Sequence, residues 1–249
     1  MTSPGPIAVS IAGFDIRWYG ILIASGALLA LYISYRRAPI YGLSPEDVLD
    51  IVLGILPMGI LGARIYYVIF NWGYYSQSPS EIINIRSGGL AIHGGLILGM
   101  ITAYVICRYK KISFIDVADL ILPSVALAQA IGRWGNFFNN EAYGTETTLP
   151  WAIIIDGKSV HPTFLYESIW CLIMFIILSY VFKRRKFPGE ITCLYGLMYA
   201  PERFIVEGFR TDSLMIGFLR QAQVISIVIF VVSLTLYTYF KRRNALNNK

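Results

Sequence analysis

Apolar runs long enough to cross a bilayer alternate with short polar stretches along the whole chain. They cover about 17–35, 48–70, 90–107, 115–135, 163–182, 190–208 and 222–240. A membrane helix needs roughly 20 predominantly apolar residues, so the pattern predicts seven transmembrane helices. The sixth run is the least apolar and is polar at its far end. No internal repeat, low-complexity segment or long linker divides the chain, which predicts one transmembrane catalytic domain over residues 1–249. The expected fold class is an all-α polytopic membrane protein.

Composition supports this reading. The chain is 56% hydrophobic and 14% charged, with a mean hydropathy of +0.58, whereas soluble domains have about 25% charged residues. The opening stretch "MTSPGPIAVSIAGFDIRWYG" lacks a basic region and a cleavage site, so the first span is expected to be retained as its own start signal. Cys107, Cys171 and Cys193 show no metal-like spacing and read as buried small hydrophobes.

The net charge of +6 does not point to nucleic acid, because the basic residues cluster beside apolar runs. Arg36 and Arg37, Arg108 with Lys110 and Lys111, "KRRK" at 183–186, "KRR" at 241–243 and Lys249 all fall on one side of a seven-span topology. The positive-inside rule makes that side cytoplasmic. The N-terminus is then outside, the C-terminus inside, and the short 136–162 connection a small extracellular cap. Trp72, Tyr74, Tyr75 and Trp151 suit the opposite headgroup level, where Arg17, Arg86, Lys158 and Arg220 can also sit.

Four arginines remain. Arg64, Arg133, Arg203 and Arg210 lie in the outward halves of spans two, four and six, where a charged group is costly and usually faces a partner or a wet cavity. Span six ends "YAPERFIVEGFRTD". At about 100° per residue, Tyr199, Arg203, Glu207 and Arg210 fall within roughly an 80° sector of one helix face. An Arg203–Glu207 ion pair locking helices is the bland reading, and Arg210 is left without a carboxylate of its own. Span four ends "IGRWGNFFNNEAYG" at 131–144. Its glycines and asparagines suit either a capped helix end or an anion site built from Arg133, amides and backbone. Arg64 is expected to pair with a carboxylate across helices.

"GGLAIHGG" at 88–95 sets His93 among apolar neighbours. It reads either as a hydrogen-bonded core residue or as a proton acceptor near neutral pH. In "HPTFLYES", His161 turns the chain, and Glu167 needs a partner for which an arginine is the natural candidate. Tyr19 reads as part of an interfacial belt. Together the polar groups converge on one membrane face, where guanidinium suits phosphate through bidentate, charge-assisted bonds. Either a phospholipid is processed there, or an anion is bound and moved.

At these residues the chain resembles the bacterial prolipoprotein diacylglyceryl transferases. Their signature G-R-x-G-N-F-x-N-x-E-x-x-G stands complete from Gly132 to Gly144. "RWYG" at 17–20, "HGG" at 93–95, "HPTFLYES" at 161–168 and the Tyr199–Arg210 face extend the likeness over nearly the whole chain. The resemblance implies transfer of the diacylglyceryl group of phosphatidylglycerol to the lipobox cysteine of a prolipoprotein, at the bacterial cell membrane, as the first step of lipoprotein maturation. It implies His93, Arg133, Arg210 and Tyr19 as catalytic residues. Asn136, Asn139, Glu141, Arg203, Glu207 and Tyr199 would surround the substrate. No cofactor or metal and no nucleic-acid partner is expected. Two features depart from the pattern: Phe164 stands where many relatives have glutamine, and the 145–160 segment is short. The rival class, a transporter of an anionic solute, would need polar groups toward both faces, and these lie toward one.

Overall fold

The computed structural model describes residues 2–11, 13–85, 88–211 and 214–247. In chain order it runs from β1 (Ile7–Ile11) and β2 (Phe14–Arg17) into α1 (Trp18–Arg37), α2 (Pro45–Phe70), the single turn α3 (Trp72–Tyr75), α4 (Ile92–Lys110) and α5 (Phe114–Asn139). Then follow β3 (Ile153–Ile155), β4 (Lys158–Val160), α6 (Thr163–Phe182), α7 (Glu190–Phe209), β5 (Met215–Ile216), β6 (Leu219–Arg220) and α8 (Gln221–Asn247). Arg86 and Lys249 lie outside the described residues.

Every apolar run became a helix. Among the described residues six helices are long and apolar enough to cross a membrane, all of the long ones except α7. Helix α7 carries Glu190, Glu202, Arg203 and Glu207 and does not qualify by composition. The protein is therefore mostly helical and polytopic, but it is not all-α. The described residues include three antiparallel two-stranded hairpins, β1–β2, β3–β4 and β5–β6. Their strands are two to five residues long, too short for period-two alternation to stand out beside apolar helices.

The chain forms two compact units, Tyr35–Val117 and Met1–Ser34 with Ala118–Lys249. In the first, Ser44 caps α2 by accepting the Glu46 N–H at 3.2 Å, and Pro45 begins the helix. Helix α2 meets α4 at Gly62 and Gly94, where a Cβ on either would strike the other's carbonyl. Small residues allow such close backbone approach in membrane helices. Lys110 at the end of α4 reaches Asp47 and Asp50 at the start of α2, both at 2.7 Å.

In the other unit, Gly26 of α1 packs on the Ala128 backbone of α5. Asp119, fully buried on α5, accepts from Gly189 N, Thr192 N, Thr192 Oγ1 and Arg185 Nη1 at 2.6–3.1 Å. This ties the basic turn between α6 and α7 to α5. At the far end of the same helices, β3 and β4 cover an aromatic core of Phe137 and Phe164, whose rings stack at 4.9 Å. Phe164 thus occupies an apolar position. Lys158 on this hairpin binds Glu146 at 2.6 Å, and that hydrogen bond raises its ammonium above the usual lysine range. The three cysteines are free and buried, as expected.

Candidate active site

The signature segment begins on the last turns of α5 and leaves the helix at Asn139. Asn140 and Ala142 take left-handed backbone, with φ of 52° and 58°, which turns the chain back. The turned segment is then stitched to two other helices. Gly144 N–H donates to the His161 carbonyl, His161 N–H to Thr145, and Thr145 N–H to Phe209 at the end of α7. Thr163, opening α6, donates through its hydroxyl to the Ala142 carbonyl. A Cβ on Gly144 would lie 2.7 Å from that of His161, so only glycine fits. The ends of α5, α6 and α7 are thereby brought together.

Between them runs a chain of alternating charges. Glu167 of α6 is fully buried. Its Oε1 accepts from Arg203 Nη1 at 2.8 Å, and its Oε2 stands 3.1 Å from Arg133 Nη1. Arg203 Nη2 reaches Glu207 Oε2 at 2.6 Å, one turn along α7. Arg210 Nε lies 3.9 Å from the same oxygen. Arg210, expected to lack a carboxylate, therefore shares Glu207. The order is Arg133, Glu167, Arg203, Glu207, Arg210. Buried ions are tolerated only when paired this closely.

The Arg133 end of this chain differs from its middle. Arg203 is held between two carboxylates, whereas the Glu167 contact is the one ion pair Arg133 makes among the described residues. Arg133 lies on the same helical turns as Asn136 and Asn139. Asn136 borders a small cavity with Asn140, Glu141, Tyr143 and Phe164. Asn139 donates weakly to Glu141 at 3.4 Å, and its buried Oδ1 accepts from no described group. Tyr199, one turn before Arg203, stacks on Tyr195 at 5.9 Å, and Tyr195 donates to Gln129 at 2.7 Å.

Tyr19, on the first turn of α1, also comes to this segment. Its ring lies where a Cβ on Gly135 would be, 2.5 Å from Cδ2, and Trp18 stacks on Phe138 at 4.9 Å. The glycines of the signature thus make room for Tyr19 and His161. Nine of the expected site residues belong to this unit. His93 belongs to the other, on the first turn of α4, where it is exposed and its ring lies 6.1 Å from that of Tyr66. It makes no hydrogen bond among the described residues, so it is not a bonded core histidine.

Comparison with known proteins decides what this arrangement belongs to. A family model described as prolipoprotein diacylglyceryl transferase matches residues 6–239. The chain belongs to that family. A curated protein of Finegoldia magna, named phosphatidylglycerol–prolipoprotein diacylglyceryl transferase, is 53% identical over 95% of this chain and 96% of its own. Relatives of the same name from Clostridioides difficile and Bacillus mycoides are 48% and 49% identical. They cover 97% and 92% of this chain, and 97% and 89% of their own lengths. Family membership gives the anionic-solute transporter no support.

Three groups near the site were not among the site residues expected from the sequence. Glu167 was expected to meet one arginine and meets two. Arg220, which can sit at the outer interface, donates to the Glu207 carbonyl from β6. Glu202 is 5% exposed, and neither carboxylate oxygen has a hydrogen-bond partner among the described residues. Its spacing from Tyr199, at i+3, was the available signal. Arg64 is also not as expected, since among the described residues it pairs with no carboxylate and binds backbone carbonyls instead.

Proposed function

We propose that this protein transfers the diacylglyceryl group of phosphatidylglycerol to the lipobox cysteine thiol of a prolipoprotein, forming a thioether and releasing glycerol 1-phosphate. The observation that carries this reading is the ion-pair chain ending in Arg133, set beside the Asn136–Glu141 turn in a chain of this family. The relatives' names supply the substrates.

The chemistry needs a proton acceptor for the thiol and a cation for the leaving group. The thiolate is the nucleophile, and an ordinary thiol has a pKa near 8.5. His93 takes its proton, with Tyr19 assisting. Sulfur attacks the glycerol carbon that carries the phosphate ester; the S–C bond forms as the C–O bond breaks. The departing phosphate gathers negative charge, which Arg133 and Arg210 stabilise from a water-poor site, where such interactions are strong. Asn136, Asn139 and Glu141 orient headgroup hydroxyls, and Tyr199 lines the same face. Glu167, Arg203 and Glu207 hold the outer arginines in place.

The membrane frame follows the charge pattern. All seven long helices cross the bilayer, α7 sheltering its charged face against α6 and α8. The N-terminus is outside and the C-terminus cytoplasmic, so the site opens to the outer leaflet of the bacterial cell membrane and receives a lipobox signal peptide there. Purified protein incubated with labelled phosphatidylglycerol and a lipobox peptide should give a thioether-linked diacylglyceryl peptide. No product should form when the peptide's cysteine is replaced by serine. Solute flux in vesicles without lipid transfer would overturn the proposal.

A further inference from the structure

Arg64 is 6% exposed in the second half of α2. An arginine side chain carries five N–H donors, and here each meets a backbone carbonyl of one loop. Nε donates to Ile82 at 2.8 Å, Nη1 to Gly88 at 3.0 Å and Gly89 at 2.9 Å, and Nη2 to Asn84 at 3.0 Å and to Glu81. The Tyr75 ring lies 5.0 Å from its Cζ. A guanidinium with every donor bound to the protein has none left for a phosphate. Its role lies in what the loop holds.

That loop leads directly into α4. Gly89, with φ of +76°, passes so close that a Cβ there would strike Arg64 Nη1. Two residues on, Ala91 N–H donates to the carbonyl of Ala63, the neighbour of Arg64, at 3.0 Å. The next turn carries His93 and then Gly94 against Gly62. The start of α4, and the direction in which His93 leaves it, are therefore set from three consecutive residues of α2: Gly62, Ala63 and Arg64. Only the last holds the loop by a side chain.

We propose that Arg64 is a positioning residue for His93, holding the backbone of residues 81–84 and 88–89 so that α4 begins in the register that presents the imidazole to the thiol. This rests on the reading of His93 as the proton acceptor. Lysine cannot substitute, because an ammonium is a point donor with three N–H groups rather than a planar fork. Misplacing a catalytic group by about 1 Å can cost up to about 10²-fold in rate.

The test is a double-mutant cycle on the full chain in phosphatidylglycerol–detergent micelles with a lipobox peptide. R64K should lower kcat about tenfold or more while the KM for lipid stays within about twofold. In an H93Q background R64K should cost nothing further, because the group it positions is gone. Gly89→Ala, which strikes the guanidinium from the loop side, should reproduce R64K and replaces it if R64K fails to fold. If H93Q is impaired but the R64K loss adds to it in full, the positioning role is overturned and the base assignment stands. If H93Q keeps full kcat, both fall.

Discussion

At the scale of single residues, the site is governed by which charges are paired. Glu167 neutralises two arginines from full burial, and removing one partner of a buried pair costs about 3–5 kcal/mol. Glu167→Gln should therefore lower thermal stability in detergent by an amount of that order. Glu202→Gln, which removes a buried carboxylate with no hydrogen-bond partner among the described residues, should leave the melting temperature unchanged or raise it. Equal losses for the two variants would contradict this distinction. Arg133→Ala and Arg210→Ala should lower kcat by about 10²-fold or more, the scale of losing one preorganised donor to a developing anion. Both variants should still insert and fold. Much of this was legible. Four arginines in apolar runs, Glu167 in need of a partner, and the spacing from Tyr199 to Arg210 all marked the place. The sharing of one carboxylate by arginines from two helices was not legible, because it depends on how α5, α6 and α7 meet. The carbonyl partners of Arg64 were not legible either, because they depend on how the backbone of residues 81–84 and 88–89 folds onto α2.

At the scale of elements, glycines decide where helices touch. Gly135 leaves room for the Tyr19 ring, so Gly135→Ala must push α1 and α5 apart. Overpacking of this kind costs about 1–3 kcal/mol. Tyr19→Ala in the same chain should recover most of that stability, a coupling that a thermal double-mutant cycle will show. Additive losses would mean that the two positions do not meet. The helices themselves were evident from the hydrophobic runs, and their observed ends lie within a few residues of those expected, apart from a longer α8. The hairpins were not, since strands of two to five residues leave too few positions for alternation to register. From sequence the signature glycines suit a capped helix end or an anion site; in the structure two of them, Gly135 and Gly144, make room for Tyr19 and His161.

At the scale of the whole molecule, the charge pattern sets a direction that can be measured. Cysteines placed at Arg184 and Lys158 should label differently in intact cells. An impermeant thiol reagent should reach the Lys158→Cys protein from outside and the Arg184→Cys protein only after permeabilisation. The three native cysteines are buried and give little background. Labelling of both from outside would contradict the proposed orientation. Six apolar helices and the family match carry the polytopic architecture, whereas the crossing of α7 was expected from its length despite its charges. The central claim is that the ion-pair chain ends in an arginine that stabilises the leaving phosphate. Its most direct test is the single-turnover rate of thioether formation by the wild-type and Arg133→Ala proteins, with phosphatidylglycerol binding measured on the same samples. The account predicts a fall of about 10²-fold or more in that rate, with lipid affinity changed by far less. An unchanged rate, or a loss that appears wholly in lipid binding, would contradict it.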